Sequence, residues 1–252
     1  MDITLVTSEI LLTILVFVRV STFFILLPII NFIKLPVVIR IALSLALSFF
    51  LKLNFVESGS SISMNTQYIF MLIFEVVNGM SLAFGVFVAF ATFQLAGRII
   101  DFQMGLAVAN QIDPITNAQA PLVGTLLFLV GSLVFILEGG ISLIIKVLVL
   151  GLQTYPPGVI FGSISFEAMI SAFGSMLSLS VVLIAPVIVT LFLVDIAMAF
   201  SARFMPQLNV FILSIPLKVA IGFCVLAMVI TGMKPIMELV FNIVLTYWYG
   251  MF

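Results

Sequence analysis

Ser214 and Lys218 are the residues whose types and spacing come closest to a catalytic pair. They lie four residues apart, so a helix would place the hydroxyl and the amine on one face. Pro216 lies between them and distorts that spacing. The alternative is a capping serine and a lysine whose stem extends toward water. Because the chain contains no histidine, Ser/His and Cys/His systems are excluded, and we predict that it is not an enzyme.

The sequence has no pattern for binding a nucleotide, a metal or a nucleic acid. Neither GxxxxGK[ST] nor GxGxxG occurs in it. The single Cys224 lies in an apolar stretch, where it is expected to be a small packing residue. Nine Lys plus Arg against ten Asp plus Glu leave no basic run that could follow a phosphate backbone. We therefore predict no cofactor, no metal and no nucleic-acid partner.

Six charged residues interrupt the apolar stretches. They are Arg19, Glu75, Glu138, Lys146, Asp195 and Lys218. Each must face protein or water, because an ionisable group at the centre of a bilayer costs about 2.5–3.5 kcal/mol. The charges could line a path for protons or ions, or they could form pairs that fix helices or subunits together. Since no stretch stacks several carboxylates on one helical face, the sequence favours pairing.

The stretch 94–105 combines charged residues with glycines, a pattern too specific for an ordinary membrane span. Arg98 and Asp101 are three residues apart and can pair on one helical face. Gly97 and Gly105 allow close approach of another backbone. Polar backbone at membrane depth persists only against protein or a water-filled cavity, so we predict a re-entrant or pore-facing element here. Gln103 lies in the same stretch, and Asp113 and Pro114 follow it and are predicted to start a turn.

A second unusual stretch, 195–211, combines charges with a helix end. Asp195 and Arg203 are about two turns apart and are predicted to pair with different partners. Pro206 is predicted to end the helix, and side-chain amides after it can satisfy exposed backbone groups. These amides belong to Gln207 and Asn209. Asp195 and Arg203 could thus each form a pair between helices or between subunits.

The elements that position these residues are apolar helices. Apolar residues make up 64% of the chain and charged residues 8%, which is too little polar surface for a water-soluble globule. About six stretches can cross a bilayer core of about 30 Å: 10–30, 37–55, 68–95, 122–150, 167–200 and 210–247. We predict an all-α membrane protein of about six long, kinked helices arranged as hairpins, in one domain over 1–252. The positions of Lys and Arg in alternate loops place both termini outside the cytoplasm.

Motifs along nearly the whole chain resemble, in order, those of the FliR/SpaR/HrcT family of type III secretion and flagellar export proteins. The matching residues are Arg19, Pro28, Pro36 and Arg40; Gln94, Gly97, Asp101, Gln103 and Gly105; Asp113-Pro114; and Asp195, Arg203, Pro206-Gln207, Asn209-Val210-Phe211 and Pro216-Leu217-Lys218. The Asp-Pro and Pro-Gln-x-Asn-Val-Phe patterns resemble the flagellar branch more than the virulence branch.

The resemblance implies a gate subunit through which unfolded secreted proteins cross the bacterial inner membrane, at the flagellar basal body. It implies P- and Q-type gate subunits as partners, with A- and B-type export proteins and membrane lipid as further ones. The chain would be a P-like half joined to a Q-like half, with bent hairpins covered by sister subunits more than by lipid. A virulence-type secretion subunit and a solitary transporter or channel are the alternatives.

By the same resemblance, the loop after Gly105 is expected to plug the closed pore. The loop covers about 106–120, and its polar side chains suit a removable plug because most of them are uncharged. The pore and plug candidates are Gly105, Asn110, Gln111, Asp113, Pro114, Asn117 and Gln119. The assembly candidates are Arg19, Gly97, Arg98, Asp101, Gln103, Asp195, Arg203, Pro206, Gln207, Asn209 and Lys218.

Overall fold

Helices form all of the regular structure in the described part of the chain. The computed structural model describes residues 3–32, 35–56, 66–106, 121–159, 166–204 and 210–251. The helices are α1 (Ile3–Leu26), α2 (Pro28–Phe32), α3 (Val37–Phe55), α4 (Thr66–Gln103), α5 (Leu122–Leu137), α6 (Gly140–Thr154), α7 (Phe166–Phe204), α8 (Val210–Thr231) and α9 (Met233–Tyr249). The predicted all-α fold is confirmed.

The long apolar helices are those expected of a membrane protein. In the described ranges, five stretches are long and apolar enough to cross a bilayer: Thr7–Leu26, Val37–Phe55, Gln67–Gln103, Phe166–Phe204 and Ile212–Thr231. The α5–α6 pair is a sixth candidate if it counts as one broken span. The prediction of about six apolar helices is thus confirmed, whereas the topology, the single domain and the P-like and Q-like halves stay predictions.

Two helices are much longer than the bilayer core. α4 has 38 residues and α7 has 39, which at 1.5 Å per residue makes each about 57 Å long. A core of about 30 Å can therefore hold only about half of either helix unless it is strongly tilted. The prediction of 68–95 for the third stretch was too short, because the polar residues after Leu95 continue the helix to Gln103.

The predicted fourth stretch, 122–150, is two helices. α5 ends at Leu137 and α6 begins at Gly140, with Gly139 between them in the left-handed region at φ +84°. A glycine adopts that conformation without the steric cost that other residues would have. The sixth stretch also divides, at Gly232 between α8 and α9. By contrast, Pro186 lies inside α7 without ending it. Apolar helices commonly tolerate a proline where neighbouring helices support them.

Contacts group the chain into two compact units, each described by itself. The first unit contains residues 1–88, 138–172 and 244–252. Lys52, near the end of α3, pairs with Glu9, near the start of α1, so these two helices form an antiparallel hairpin. In α3 the buried side includes Ser44 and Ser48, whereas apolar side chains such as Phe49 point outward. This inside-out arrangement suits lipid or a protein partner better than water.

The second unit contains residues 89–137 and 173–243. Aromatic rings fill its core: Phe90 packs against Phe128 and Phe135 with ring centroids 5.3 Å and 5.4 Å apart. Phe135 stacks on Phe241 of α9 at 5.2 Å. α4 and α5 run antiparallel here, because the start of α5 lies beside the end of α4. This packing positions the polar residues of the stretch 94–105.

Candidate functional site

The first polar cluster is an ion pair buried between α1 and α4. The Arg19 Nε donates to Glu75 Oε2 at 2.5 Å and its Nη2 donates to Glu75 Oε1 at 3.0 Å. Both side chains have no exposed surface. The two parallel contacts form the bidentate geometry in which a guanidinium and a carboxylate interact most strongly. The sequence shows that each of these charged residues lies in an apolar stretch, and the structure shows that the two pair with each other.

The same pair holds the turn that follows α6. Arg19 Nη1 donates to the carbonyl oxygens of Gly151 and Tyr155, each at 2.9 Å. Glu75 Oε1 accepts the backbone N–H of Gly158 at 2.6 Å. The fully buried Asn78 donates to the carbonyl oxygen of Val159 at 2.8 Å. Protein groups therefore satisfy the backbone of this turn, as apolar surroundings require.

The second polar cluster is the contact of Asp101 with the start of α5. The carboxylate accepts the backbone N–H of Val123 at 3.0 Å and 3.1 Å, and that of Gly124 at 3.3 Å. A helix N-terminus has unpaired N–H groups and a partial positive charge, so a carboxylate there is stabilising. Asp101 is only 5% exposed, whereas Arg98 is exposed. The predicted Arg98–Asp101 pair is wrong, because Asp101 binds these backbone groups of α5 instead.

Gly97 of α4 and Gly124 of α5 let these two helices come into contact beside Asp101. A Cβ placed on Gly97 would lie 2.2 Å from the Cα of Gly124 and 2.3 Å from its nitrogen. Gly97 therefore lies at a close backbone approach, as its position in the stretch 94–105 suggested. Gly105 has a different role: its φ is +79°, and the nearest atom to its Cβ position is 3.7 Å away. It is required by its backbone conformation and not by crowding.

The third polar cluster joins α7 and α8. The ammonium of Lys218 pairs with the carboxylate of Asp195, and both side chains are partly exposed. Arg203 is exposed in the last turn of α7. Asp195 thus has a partner within the chain, and its predicted role in contacts between subunits stays a prediction.

A comparison with known protein families decides the identity. The model of the family described as "Bacterial export proteins, family 1" matches residues 10–243. The chain belongs to this family. The match covers all three polar clusters, which are therefore features of a bacterial export protein.

Individual relatives are named for flagellar biosynthesis and for surface presentation of antigens. The chain is 31% identical over 236 residues to "Flagellar biosynthetic protein FliR" of Bacillus subtilis (strain 168), covering 91% of this chain and 90% of the relative. It is 30% identical to "Surface presentation of antigens protein SpaR" of Shigella flexneri, covering 81% and 78%. It is 29% identical to the FliR protein of Aquifex aeolicus (strain VF5), covering 87% and 86%.

Several predicted site residues of this export protein lie outside the described ranges. They are Asn110, Gln111, Asp113, Pro114, Asn117, Gln119, Pro206, Gln207 and Asn209. Gln103 is half-buried in the last turn of α4. The structure thus places Arg19, Gly97 and Asp101 at contacts between helices, whereas their roles in plugging or assembly stay predictions.

Sequence reasoning missed Glu75 and Asn78 as partners of Arg19 and of the turn after α6. A signal for the ion pair existed, because Arg19 is the only charge in the stretch 10–30 and Glu75 the only one in 68–95. Two opposite single charges in neighbouring apolar helices suggest mutual pairing. No comparable signal existed for the contact between Asp101 and α5. The carboxylate of Asp101 accepts backbone N–H groups, and these do not depend on residue type.

Proposed function

We propose that this chain is a core subunit of the flagellar type III protein export gate and helps form the pore through which unfolded flagellar proteins cross the inner membrane. The observation that carries the proposal is the family match over residues 10–243, supported by relatives named for flagellar biosynthesis. The chain is a component of an export apparatus. The three polar clusters serve packing in this reading, because each joins helices to one another.

The flagellar branch is preferred because FliR of Bacillus subtilis and of Aquifex aeolicus align with more of this chain, 91% and 87%, than SpaR does, although FliR of Escherichia coli aligns with 67%. The identities to FliR of Bacillus subtilis and SpaR of Shigella flexneri are close, 31% and 30%, but the first alignment covers 91% of the chain and the second 81%. A subunit of a virulence-type secretion system is the second candidate. Restoring motility to a strain that lacks its own flagellar subunit would support the flagellar branch.

P- and Q-type gate subunits are the proposed direct partners, and A- and B-type export proteins the proposed outer ones. Large apolar side chains are exposed along α3, α7 and α8. Only 11% of the most apolar window of α8 is buried. Such surfaces need lipid or other subunits to cover them, which agrees with a protein of the inner membrane that works in a complex.

The tagged protein, purified in mild detergent from cells that also express the P- and Q-type subunits, is expected to bring both down in one large particle. Size-exclusion chromatography with mass spectrometry of the peak measures this. An untagged copy of the chain is the control for non-specific recovery. If the protein instead elutes as a lone monomer or homodimer, a solitary transporter or channel becomes the better reading.

Deleting residues 106–120 is expected to make the resting membrane leak ions, because we propose that this loop fills the closed pore. The structure describes its flanks, where α4 ends at Gln103 and α5 begins at Leu122. Conductance of the complex in planar bilayers measures the leak. Replacing the polar residues 57–63 with a Gly/Ser linker of equal length is the control. Conductance equal to that of the wild type after the deletion would contradict the plug.

A further inference from the structure

An apolar cavity lies beside the middle of α4. Its volume is about 370 Å³, and residues of α1, α4 and α7 line it. The α4 residues among them have the spacing of one helical face. All of the lining residues belong to the first unit. They are Leu26 of α1; Val77, Met80, Ser81, Phe84 and Phe87 of α4; and Phe166 and Met169 of α7.

The cavity lies where two helices end and a third continues. α1 ends at Leu26, and Pro28 follows it without an N–H group that could continue the same helix. α7 begins at Phe166, whereas α4 runs on to Gln103. Both helix ends contribute to the lining. The side of α4 between them is therefore left open as a cavity.

The lining offers no charged group and no free donor to a ligand. Ser81 is the one polar residue among the eight, and its hydroxyl donates to the carbonyl oxygen of Val77 at 2.8 Å. The carbonyl oxygen of Ser81 accepts the hydroxyl of Tyr247 at 2.8 Å. A polar ligand would lose its bonds to water without replacing them, and apolar cavities of this kind do not hold water. The ligand that fits is a hydrocarbon.

A lipid acyl chain is the hydrocarbon that matches both the place and the size of the cavity. The three helices contribute from the stretches Thr7–Leu26, Gln67–Gln103 and Phe166–Phe204, each long and apolar enough to cross a bilayer. A helix of another protein is too wide, since one turn about 5.4 Å long and 10–12 Å across occupies more than about 400 Å³. A single chain can enter between the helix ends, where the flexible side chains of Met80 and Met169 can adjust to it.

We propose that this cavity binds one acyl chain of a membrane phospholipid. The chain packs on the open face of α4 and against the ends of α1 and α7, and it gives the lining the van der Waals contacts that an empty cavity lacks. Because no Lys or Arg is among the lining residues, the site selects the chain and not the headgroup. The site belongs to the fold of the first unit and does not depend on an export function.

The single tryptophan of the chain reports on this cavity. Trp248 is only 2% exposed, and its indole N–H donates to the carbonyl oxygen of Leu82 at 3.1 Å, next to Ser81. The neighbouring Tyr247 packs against Phe84, with ring centroids 5.7 Å apart. Bromine atoms on an acyl chain quench tryptophan fluorescence only at short range. Quenching of this buried indole therefore reports a chain that has entered the cavity.

The experiment titrates the full chain, in mild detergent, with phosphatidylcholine whose acyl chains carry bromine. We expect quenching of Trp248 that saturates at a low ratio of lipid to detergent. Brominated phosphatidylglycerol is expected to give a half-quenching concentration within about twofold of that for phosphatidylcholine, because the headgroup has no partner in the lining.

Two pairs of variants locate the bound chain. Val77→Phe puts a ring into the cavity and is expected to raise the half-quenching concentration by about tenfold or more. Val76→Phe makes the same change at a position that is 38% exposed and outside the cavity, so it should match the wild type. Phe166→Ala removes a wall and is expected to weaken binding by about threefold. Phe166 is 73% exposed, so its loss spares the fold, and Phe102→Ala, at 76% exposed, is the control.

Three results would overturn the acyl-chain site. The first is the absence of saturable quenching in the wild type. The second is quenching that neither Val77→Phe nor Phe166→Ala changes, which would place the lipid elsewhere. The third is a preference of more than about tenfold for one headgroup, which would indicate a polar site. If Val77→Phe aggregates, Phe166→Ala decides. The gate function stands or falls separately, with the co-purification of subunits.

Discussion

Arg19→Ala is expected to reduce the folded protein in membranes to a small fraction of the wild-type amount. The change would leave the Glu75 carboxylate buried with the N–H of Gly158 as its donor. It would also remove the guanidinium from the carbonyl oxygens of Gly151 and Tyr155, of which Gly151 keeps the backbone N–H of Tyr155. Breaking a buried ion pair by removing one partner costs about 3–5 kcal/mol. Whole proteins have only about 5–15 kcal/mol of stability. Fluorescence-detected size-exclusion of detergent extracts measures the folded fraction.

Exchanging Arg19 and Glu75 tests whether the attraction between the two charges is sufficient or whether their hydrogen bonds to the backbone are also needed. In Arg19→Glu with Glu75→Arg, a carboxylate would face two carbonyl oxygens and a guanidinium would face the N–H of Gly158. The exchanged pair would keep its mutual attraction but oppose the surrounding backbone groups. We therefore expect the double variant to fold no better than Arg19→Ala. Recovery to the wild-type amount would mean that the turn after α6 does not depend on these contacts.

The pair of Glu9 and Lys52 is the matched control. It also joins α1 to another helix, but the Glu9 side chain is 34% exposed and that of Lys52 10%. Ion pairs with access to solvent contribute about 0–1 kcal/mol. Exchanging these two residues should leave the folded amount near that of the wild type. Equal losses from the two exchanges would indicate that charge reversal on α1 is harmful wherever it occurs.

The helices could be predicted from the sequence because hydropathy is a local property. The predicted stretch 37–55 coincides with α3, and every other predicted stretch corresponds to one or two observed helices. The breaks between helices were harder to predict, because the effect of a glycine depends on its backbone angles, which the sequence does not give. Gly139 and Gly232 divide helices, while Gly174 lies inside α7 and leaves it continuous. Proline was also ambiguous, as Pro186 shows.

The partners of the polar residues could be predicted only in part. A local rule suggested that Arg98 and Asp101 pair, since residues three apart are neighbours on a helix. The start of α5 competed for the same carboxylate with two backbone N–H groups and a helix dipole. That competitor lies 22 residues away along the chain and has no special residue type. Physical chemistry therefore identified which polar groups needed a partner. Which group became the partner depended on how the helices pack.

Gly97→Ala is expected to separate α4 from α5 and to destabilise the protein by more than about 3 kcal/mol. The added methyl group would lie 2.2 Å from the Cα of Gly124, and backbone atoms cannot rotate away as a side chain can. Overpacking alone typically costs about 1–3 kcal/mol. Moving the helices apart would also lengthen the bonds from Val123 and Gly124 to Asp101, and hydrogen bonds to charged groups contribute about 1.5–3 kcal/mol. The thermal midpoint in detergent should fall by about 6–12 °C.

Gly174→Ala makes the same chemical change as Gly97→Ala but is not expected to destabilise the protein. Gly174 lies in α7, in the same unit as Gly97, and a Cβ there would meet nothing within 4 Å. Alanine is favoured over glycine inside a helix by about 1 kcal/mol, so the midpoint of this variant should equal or exceed that of the wild type. Because helix propensity acts equally at both positions, the difference between the variants measures the contact of α4 with α5. Similar midpoints for the two would show that α4 and α5 can move apart at little cost, and the role of Gly97 would then lie elsewhere.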